Sequence, residues 1–207
     1  VGQLLQPQRF EPAYSHWTGD LPLDFSKDFP EWAEIFLRAC FDAEIPEEIG
    51  YSMIYDRIIF PIYREGQLMC WQGRGPPNHP QKWLTVSPKY SWGGKYPYIK
   101  EGTYDRYIIT EDIISAMKVG EIYPTISILG ASVNTPMVQF LLDKSNKFVI
   151  WLDGDTAGAT GTKKILCKLK MLADLTVIRT KHDPKFYTLS RITQILRENL
   201  IMGRKEV

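Results

Sequence analysis

From residue 107 onward the chain alternates short apolar runs with longer stretches of helical periodicity, and this rhythm constrains the fold more than any other feature. Tyr107-Ile108-Ile109 leads into a predicted helix over about 112–119, and Thr125-Ile126-Ser127-Ile128-Leu129 into another over about 135–144. Phe148-Val149-Ile150-Trp151-Leu152 precedes a helix over about 157–173, and Leu175-Thr176-Val177-Ile178 precedes the last, over about 189–201. Short apolar strands separated by helices of about ten or more residues predict a parallel sheet covered on both faces.

The upstream half follows a different plan. Residues 1–30 are rich in proline and aromatics without sustained periodicity, which reads as an arm or linker. Trp32, Ile35, Phe36 and Ala39 recur at helical spacing behind Pro30, with Glu31 and Glu34 where the helix dipole favours them, so a helix is expected over 31–42. Ile58 to Tyr63 reads as a strand, Glu65-Gly66 as a tight turn, and Leu68 to Gly73 as the hairpin partner, with Pro61 indicating an open edge at that point. No internal repeat or low-complexity tract is present.

Charge is unevenly placed. Residues 1–50 hold three Lys/Arg against ten Asp/Glu, 51–100 hold seven against two, and 151–207 hold eleven against six. A net charge of +1 therefore conceals a basic middle and C-terminal region, which suits contact with polyphosphate, and an acidic lead-in suited to docking a partner protein. No apolar run approaches the roughly 18 residues of a membrane span. The start at Val1, with neither methionine nor a charged-then-apolar leader, reads as a fragment or processed chain rather than a secreted precursor, and a cytoplasmic location is expected. Cys40, Cys70 and Cys167 form no CxxC pair, and Cys40 and Cys70 sit in apolar company, so buried thiols are expected rather than zinc ligands or disulfides.

In an open parallel α/β sheet, ligands gather beyond the carboxyl ends of the strands. Those ends carry Glu111 after the first strand, Gly130-Ala131-Ser132 after the second, Asp153-Gly154-Asp155 after the third, and 179–183 after the fourth. Asp153 and Asp155, separated by one glycine, can aim two carboxylates at one hard cation, with Glu111 supplied from another strand end. Paired acids also make turns and helix caps, but the small residues Ala157 and Gly158 that follow allow a backbone or a phosphate to come close.

Ile109-Thr110-Glu111, Leu129-Gly130-Ala131, Leu152-Asp153-Gly154-Asp155-Thr156-Ala157-Gly158 and His182-Asp183-Pro184, in that order, resemble the Toprim domain of primases, topoisomerases and some nucleases. Asp56 to Ile62, the turn at Gly66, Trp71-Gln72-Gly73-Arg74 and Gln81 to Pro88 resemble the basic subdomain that precedes Toprim in bacterial and phage replicative primases. The resemblance covers about residues 31–185. It implies an α/β fold: a Toprim, Rossmann-like parallel sheet flanked by helices over 103–185, preceded by a smaller α+β primase N-terminal subdomain over 31–102. A C-terminal helix over 186–207 completes it, and the basic subdomain faces the metal site across a cleft.

The function so implied is that of a DNA primase core, most closely of the phage type, making short RNA primers from NTPs on single-stranded DNA by metal-dependent nucleotidyl transfer. Glu111, Asp153 and Asp155 are the expected catalytic ligands of Mg²⁺ or Mn²⁺. Arg57, Arg74 and Lys82 are expected to meet nucleotide or DNA phosphates. Trp71, Trp83, Tyr90, Trp92, Tyr96 and Tyr98 suit either base stacking or core packing. The family pattern has glycine after the glutamate and aspartate four positions on, where this chain has Asp112 and Ser115, and Lys185 stands where a second aspartate is common. Asp112, Ser115 and Asp183 are thus auxiliary candidates, and one missing carboxylate predicts a need for Mn²⁺ or high Mg²⁺. The chain carries neither a zinc-binding module nor a Walker-type phosphate loop, so a zinc module and a replicative helicase are expected elsewhere. The competing readings are a non-catalytic single-stranded nucleic-acid-binding replisome module and a Toprim nuclease.

Overall fold

The computed structural model describes residues 17–42, 44–88 and 96–200. Residues 1–16 of the arm expected over 1–30, Tyr90 and Trp92, and the end of the C-terminal helix beyond residue 200 lie outside the described residues. Helix α1 (Glu31–Cys40) starts behind Pro30, carries Glu31 and Glu34 in its first turn, and pairs Glu34 with Arg38 at 2.8 Å. An antiparallel sheet follows, built from β1 (Gly50–Ser52), β2 (Arg57–Arg64), β3 (Gln67–Arg74) and β4 (Trp83–Val86) in that spatial order. Glu65 and Gly66 both take positive φ, 52° and 78°, the two-residue turn whose twist matches a tight hairpin between β2 and β3. β1 covers only Arg57–Ile59 of β2, so Pro61 falls where that flank has no ladder to interrupt.

The second sheet contains β5 (Tyr98–Lys100), β6 (Tyr107–Thr110), β7 (Thr125–Ser127), β8 (Lys147–Ile150) and β9 (Asp174–Val177), in the order β5-β7-β6-β8-β9. All pairings are parallel except the edge strand β5, which runs against β7. The connecting helices are α2 (Ile113–Gly120), α3 (Thr135–Lys144) and α4 (Thr156–Leu169), and a 3-10 turn (Pro184–Phe186) precedes α5 (Leu189–Leu200). The expected parallel sheet flanked by helices is therefore present. Three short strands, β1, β4 and β5, were not expected, because they lie outside the alternation of apolar runs and helices that marked the equally short β6 to β9. β7 is shorter than expected because Leu129 and Gly130 turn to positive φ, 53° and 149°, and leave the ladder.

Helix α2 explains how the two sheets meet. Every residue from Ile113 to Val119 is buried, which a helix achieves only when covered on all sides. Ile113, Ile114 and Met117 pack in one core with Ala33, Leu37 and Cys40 of α1 and Ile58, Phe60 and Ile62 of β2. Val119 belongs instead to the core that Ile108, Val149 and Trp151 form with α5. The first turn of α2 is thereby held rigidly between the sheets, and that turn borders the candidate site. Cys40 and Cys70 are buried and Cys167 is exposed, all three as free thiols. Among the described residues, no helix is long and apolar enough to cross a membrane.

Candidate functional site

Glu111 and Asp112 follow directly on β6. Asp112 is the N-cap of α2: its Oδ1 accepts the amides of Ile114 and Ser115 at 2.9 and 3.0 Å, and its Oδ2 accepts the Ser115 hydroxyl at 3.0 Å. The two auxiliary candidates are thus brought together, but to cap a helix. Glu111 is fixed from behind, its carbonyl accepting the Gly130 amide at 2.7 Å. Its Oε2 is buried with no hydrogen-bond partner among the described residues. Burial, joined by the charges of Asp112 and Asp155 and opposed by Lys185, raises the Glu111 pKa.

The loop between β8 and α4 carries the other two acids. Asp155 caps α4 by accepting the Gly158 amide at 2.8 Å, and is exposed. Gly158 is required at this point: a Cβ there would lie 2.0 Å from the Asp153 carbonyl oxygen. A Cβ on Gly154 would likewise meet the backbone oxygens of Lys181 and Thr180, at 2.6 and 2.7 Å. The two glycines therefore let the acidic loop nest between its own helix and the strand that follows. Asp153 has one oxygen, Oδ1, buried without a hydrogen-bond partner among the described residues. Its pKa is pushed up to about 8 by burial and by the charges of Asp112, Asp183 and Glu111, against the pull of Lys185. A cavity of ≈ 90 Å³ adjoins this loop, lined by Asp153, Asp155, Thr162 and Thr180 among others.

Sequence reasoning gave Lys185 no role beyond standing at a position where an acid is common. In the structure the lysine, 5% exposed, lies inside the acidic group. Its Nζ is 2.7 Å from Asp183 Oδ2, 2.9 Å from Asp112 Oδ2 and 3.6 Å from Asp153 Oδ2. Desolvation alone would lower the lysine pKa, but the surrounding carboxylates outweigh it and raise the pKa above its ordinary value. Asp183 goes the other way: burial is overcome by the Lys185 ammonium and by the Gly154 amide, which donates to its Oδ1 at 3.3 Å. The sequence signal was a lysine where a second aspartate is common, which does not show which way the lysine turns.

Of the three cations expected to meet phosphate, Arg57 is a correction. It is 1% exposed, and its guanidinium donates to the carbonyls of Gly73, Gln81 and Lys82 at 3.3, 2.9 and 3.4 Å, and meets the His79 ring. It clamps β2 to β3 and to the loop before β4. Arg74 is half-buried between the rings of Phe36 and Trp83, at 4.8 and 5.3 Å, and feels the charges of Asp112, Asp153 and Asp183. The first sheet therefore directs one cation toward the acids. Lys82 is exposed. Among the aromatics, Trp71 is a core residue at 2% exposure, and Trp83, Tyr96 and Tyr98 pack against the core beside α1.

An all-carboxylate donor set with two buried, unpartnered oxygens suits a hard divalent cation. No three His, Cys, Asp or Glu side chains among the described residues yet converge as a cage, and Lys185 stands in their midst.

Residues 108–186 match the family model described as Toprim-like. No curated protein matches the chain. Among solved structures, a DNA primase domain from Pseudomonas aeruginosa is similar with a TM-score of 0.59 and 19% identity, over 72% of this chain and 53% of that one. The Aquifex aeolicus primase zinc-binding and RNA polymerase domains give 0.58 and 17%, over 75% and 43%. A DnaG primase catalytic domain bound to single-stranded DNA gives 0.55 and 20%, over 72% and 51%. The chain thus has the fold of bacterial primase catalytic cores, and spans about half the length of the structures it matches.

Proposed function

We propose that this chain forms the catalytic core of a DNA primase, joining ribonucleotides into short RNA primers on a single-stranded DNA template. One observation carries the reading: beyond the ends of adjacent strands of a Toprim-like domain, Glu111 and Asp153 hold buried carboxylate oxygens without hydrogen-bond partners among the described residues, and Arg74 of the preceding sheet acts electrostatically on Asp153. Such oxygens are costly to leave bare, and a bound cation removes the cost. In the reaction, a 3′-hydroxyl oxygen bonds to the α-phosphorus of the next nucleotide, the bond to pyrophosphate breaks, and the hydroxyl proton passes to solvent.

Glu111 and Asp153, with the exposed Asp155 beside them, would hold Mg²⁺ or Mn²⁺, which supplies charge neutralisation for the triphosphate and acidifies the attacking hydroxyl. Arg74, braced between Phe36 and Trp83, offers the triphosphate or template a cation that needs no reorganisation. Lys82 contributes a mobile surface charge for the template backbone. The helicase and zinc-binding template reader belong to the same proposal as partners outside this chain.

The test incubates the chain with single-stranded DNA, labelled NTPs and Mg²⁺ or Mn²⁺, beside Asp153→Ala. Primers made by the parent and absent from the variant support the reading; cleaved DNA indicates a nuclease. The charge of Lys185 within the acids favours a second reading, a non-catalytic single-strand-binding module, and binding without primers would establish it.

A further inference from the structure

We propose that Lys185 is a built-in cation that takes the place of one divalent ion in the acidic cluster, so that the site accepts a single metal ion beside it. The inference rests on the primase reading for the site's chemistry but concerns only what the site binds.

The oxygens of the cluster divide into two sets. Asp112 is fully engaged, with Oδ1 on the first amides of α2 and Oδ2 shared between the Ser115 hydroxyl and Lys185. Asp183 is engaged on both oxygens as well, with Oδ1 on the Gly154 amide and Oδ2 on Lys185. An ammonium has three donors, and here it faces three carboxylates, at 2.7, 2.9 and 3.6 Å. This half of the cluster is closed around its own positive charge. Glu111 Oε2 and Asp153 Oδ1 are the buried carboxylate oxygens left over. Asp153 thus joins the halves: its Oδ2 lies toward the lysine, its carboxyl also meets that of Asp183, and its Oδ1 is buried without a partner among the described residues.

Charge supports the same division. Glu111, Asp112, Asp153, Asp155 and Asp183 bring five carboxylates against the Lys185 ammonium and the Arg74 guanidinium, which leaves negative charge for one divalent ion. A second ion would have to approach an ammonium that has nowhere to withdraw, because Lys185 is 5% exposed and its turn packs against α1 and α2. Like charges this close and this poorly solvated repel strongly.

The experiment is a calorimetric Mn²⁺ titration of the full chain after chelator treatment, without nucleotide or DNA, so that primer synthesis plays no part in the readout. The parent should bind one ion. Lys185→Asp should bind two, or bind the first on the order of a hundredfold more tightly, through loss of a repelling charge and gain of a ligand. Lys185→Met keeps the length of the stem; if it is unfolded without metal, Mn²⁺ should refold it, since the ion then replaces the ammonium. Two ions on the parent, none at all, a Lys185→Asp isotherm unchanged from the parent, or a Lys185→Met chain still unfolded at saturating Mn²⁺ would each overturn the inference. Failure of primer synthesis with one ion bound would count against the primase reading and leave this one standing.

Discussion

Gly158 offers the sharpest test of how the acidic loop is held. In an exposed helix, replacing glycine by alanine stabilises by about 1 kcal/mol, because alanine has less backbone freedom to lose. At Gly158 the new Cβ would sit 2.0 Å from the Asp153 carbonyl oxygen, 2.9 Å from its carbon and 3.0 Å from its nitrogen. These are backbone atoms on both sides, so no side chain can swing away, and α4 must separate from the loop by about 1 Å to reach a tolerable contact. That separation stretches the 2.8 Å cap from the Gly158 amide to Asp155. Overpacking of about 3 kcal/mol and a lost cap of about 1 kcal/mol, set against the helix gain of about 1 kcal/mol, leave Gly158→Ala destabilised by about 3 kcal/mol. Urea denaturation should read this as a lower midpoint at constant slope. Thr160→Ala, on the exposed side of the same helix, should stay within about 0.5 kcal/mol of the parent. Primer synthesis should also fall about a hundredfold in Gly158→Ala, because Asp153 moves with its loop. A variant as stable as the parent, or more so, would refute the proposed nesting of α4 against Asp153.

Arg57→Ala should lower stability by about 3–5 kcal/mol in chemical denaturation, since it strips a buried cation from three carbonyls, whereas Lys82→Ala should leave the melting temperature unchanged and weaken only single-stranded DNA binding. Asp112→Ala should cost about 2–3 kcal/mol through the lost cap of α2 and the lost partner of Lys185, measured by thermal denaturation at fixed salt. Saturating Mn²⁺ should raise the melting temperature of the chelator-treated chain. At about a hundred times the dissociation constant the gain corresponds to about 2.7 kcal/mol. Asp153→Ala should abolish the response, and an undiminished shift in that variant would place the ion elsewhere.

The second sheet was legible because each of its units carries a local signature. Runs such as Phe148 to Ile150 are apolar on both faces, as a strand covered by two layers must be. Asp112, Asn134 and Asp155 prove to be the N-caps of the helices that follow, which the apolar rhythm by itself did not single out. Placing Glu111, Asp153 and Asp155 beyond strand ends followed from the same rhythm. Less was visible of β1, β4 and β5, and nothing in the sequence distinguished Arg57, held by carbonyls up to 25 residues away, from Arg74, which feels the charges of the acids.

The amino-acid sequence by itself determined the alternation of strands and helices and the ends at which the acids lie, because backbone propensity, caps and apolar periodicity act over a few residues. Only the tertiary structure decided what those charges face. Lys185 meets Asp112 across 73 residues, and Asp183 meets the Gly154 amide across 29. Whether a charge is solvated, clamped on carbonyls or enclosed by carboxylates depends on what packing brings to it from distant strands, and that is not encoded in its neighbours along the chain.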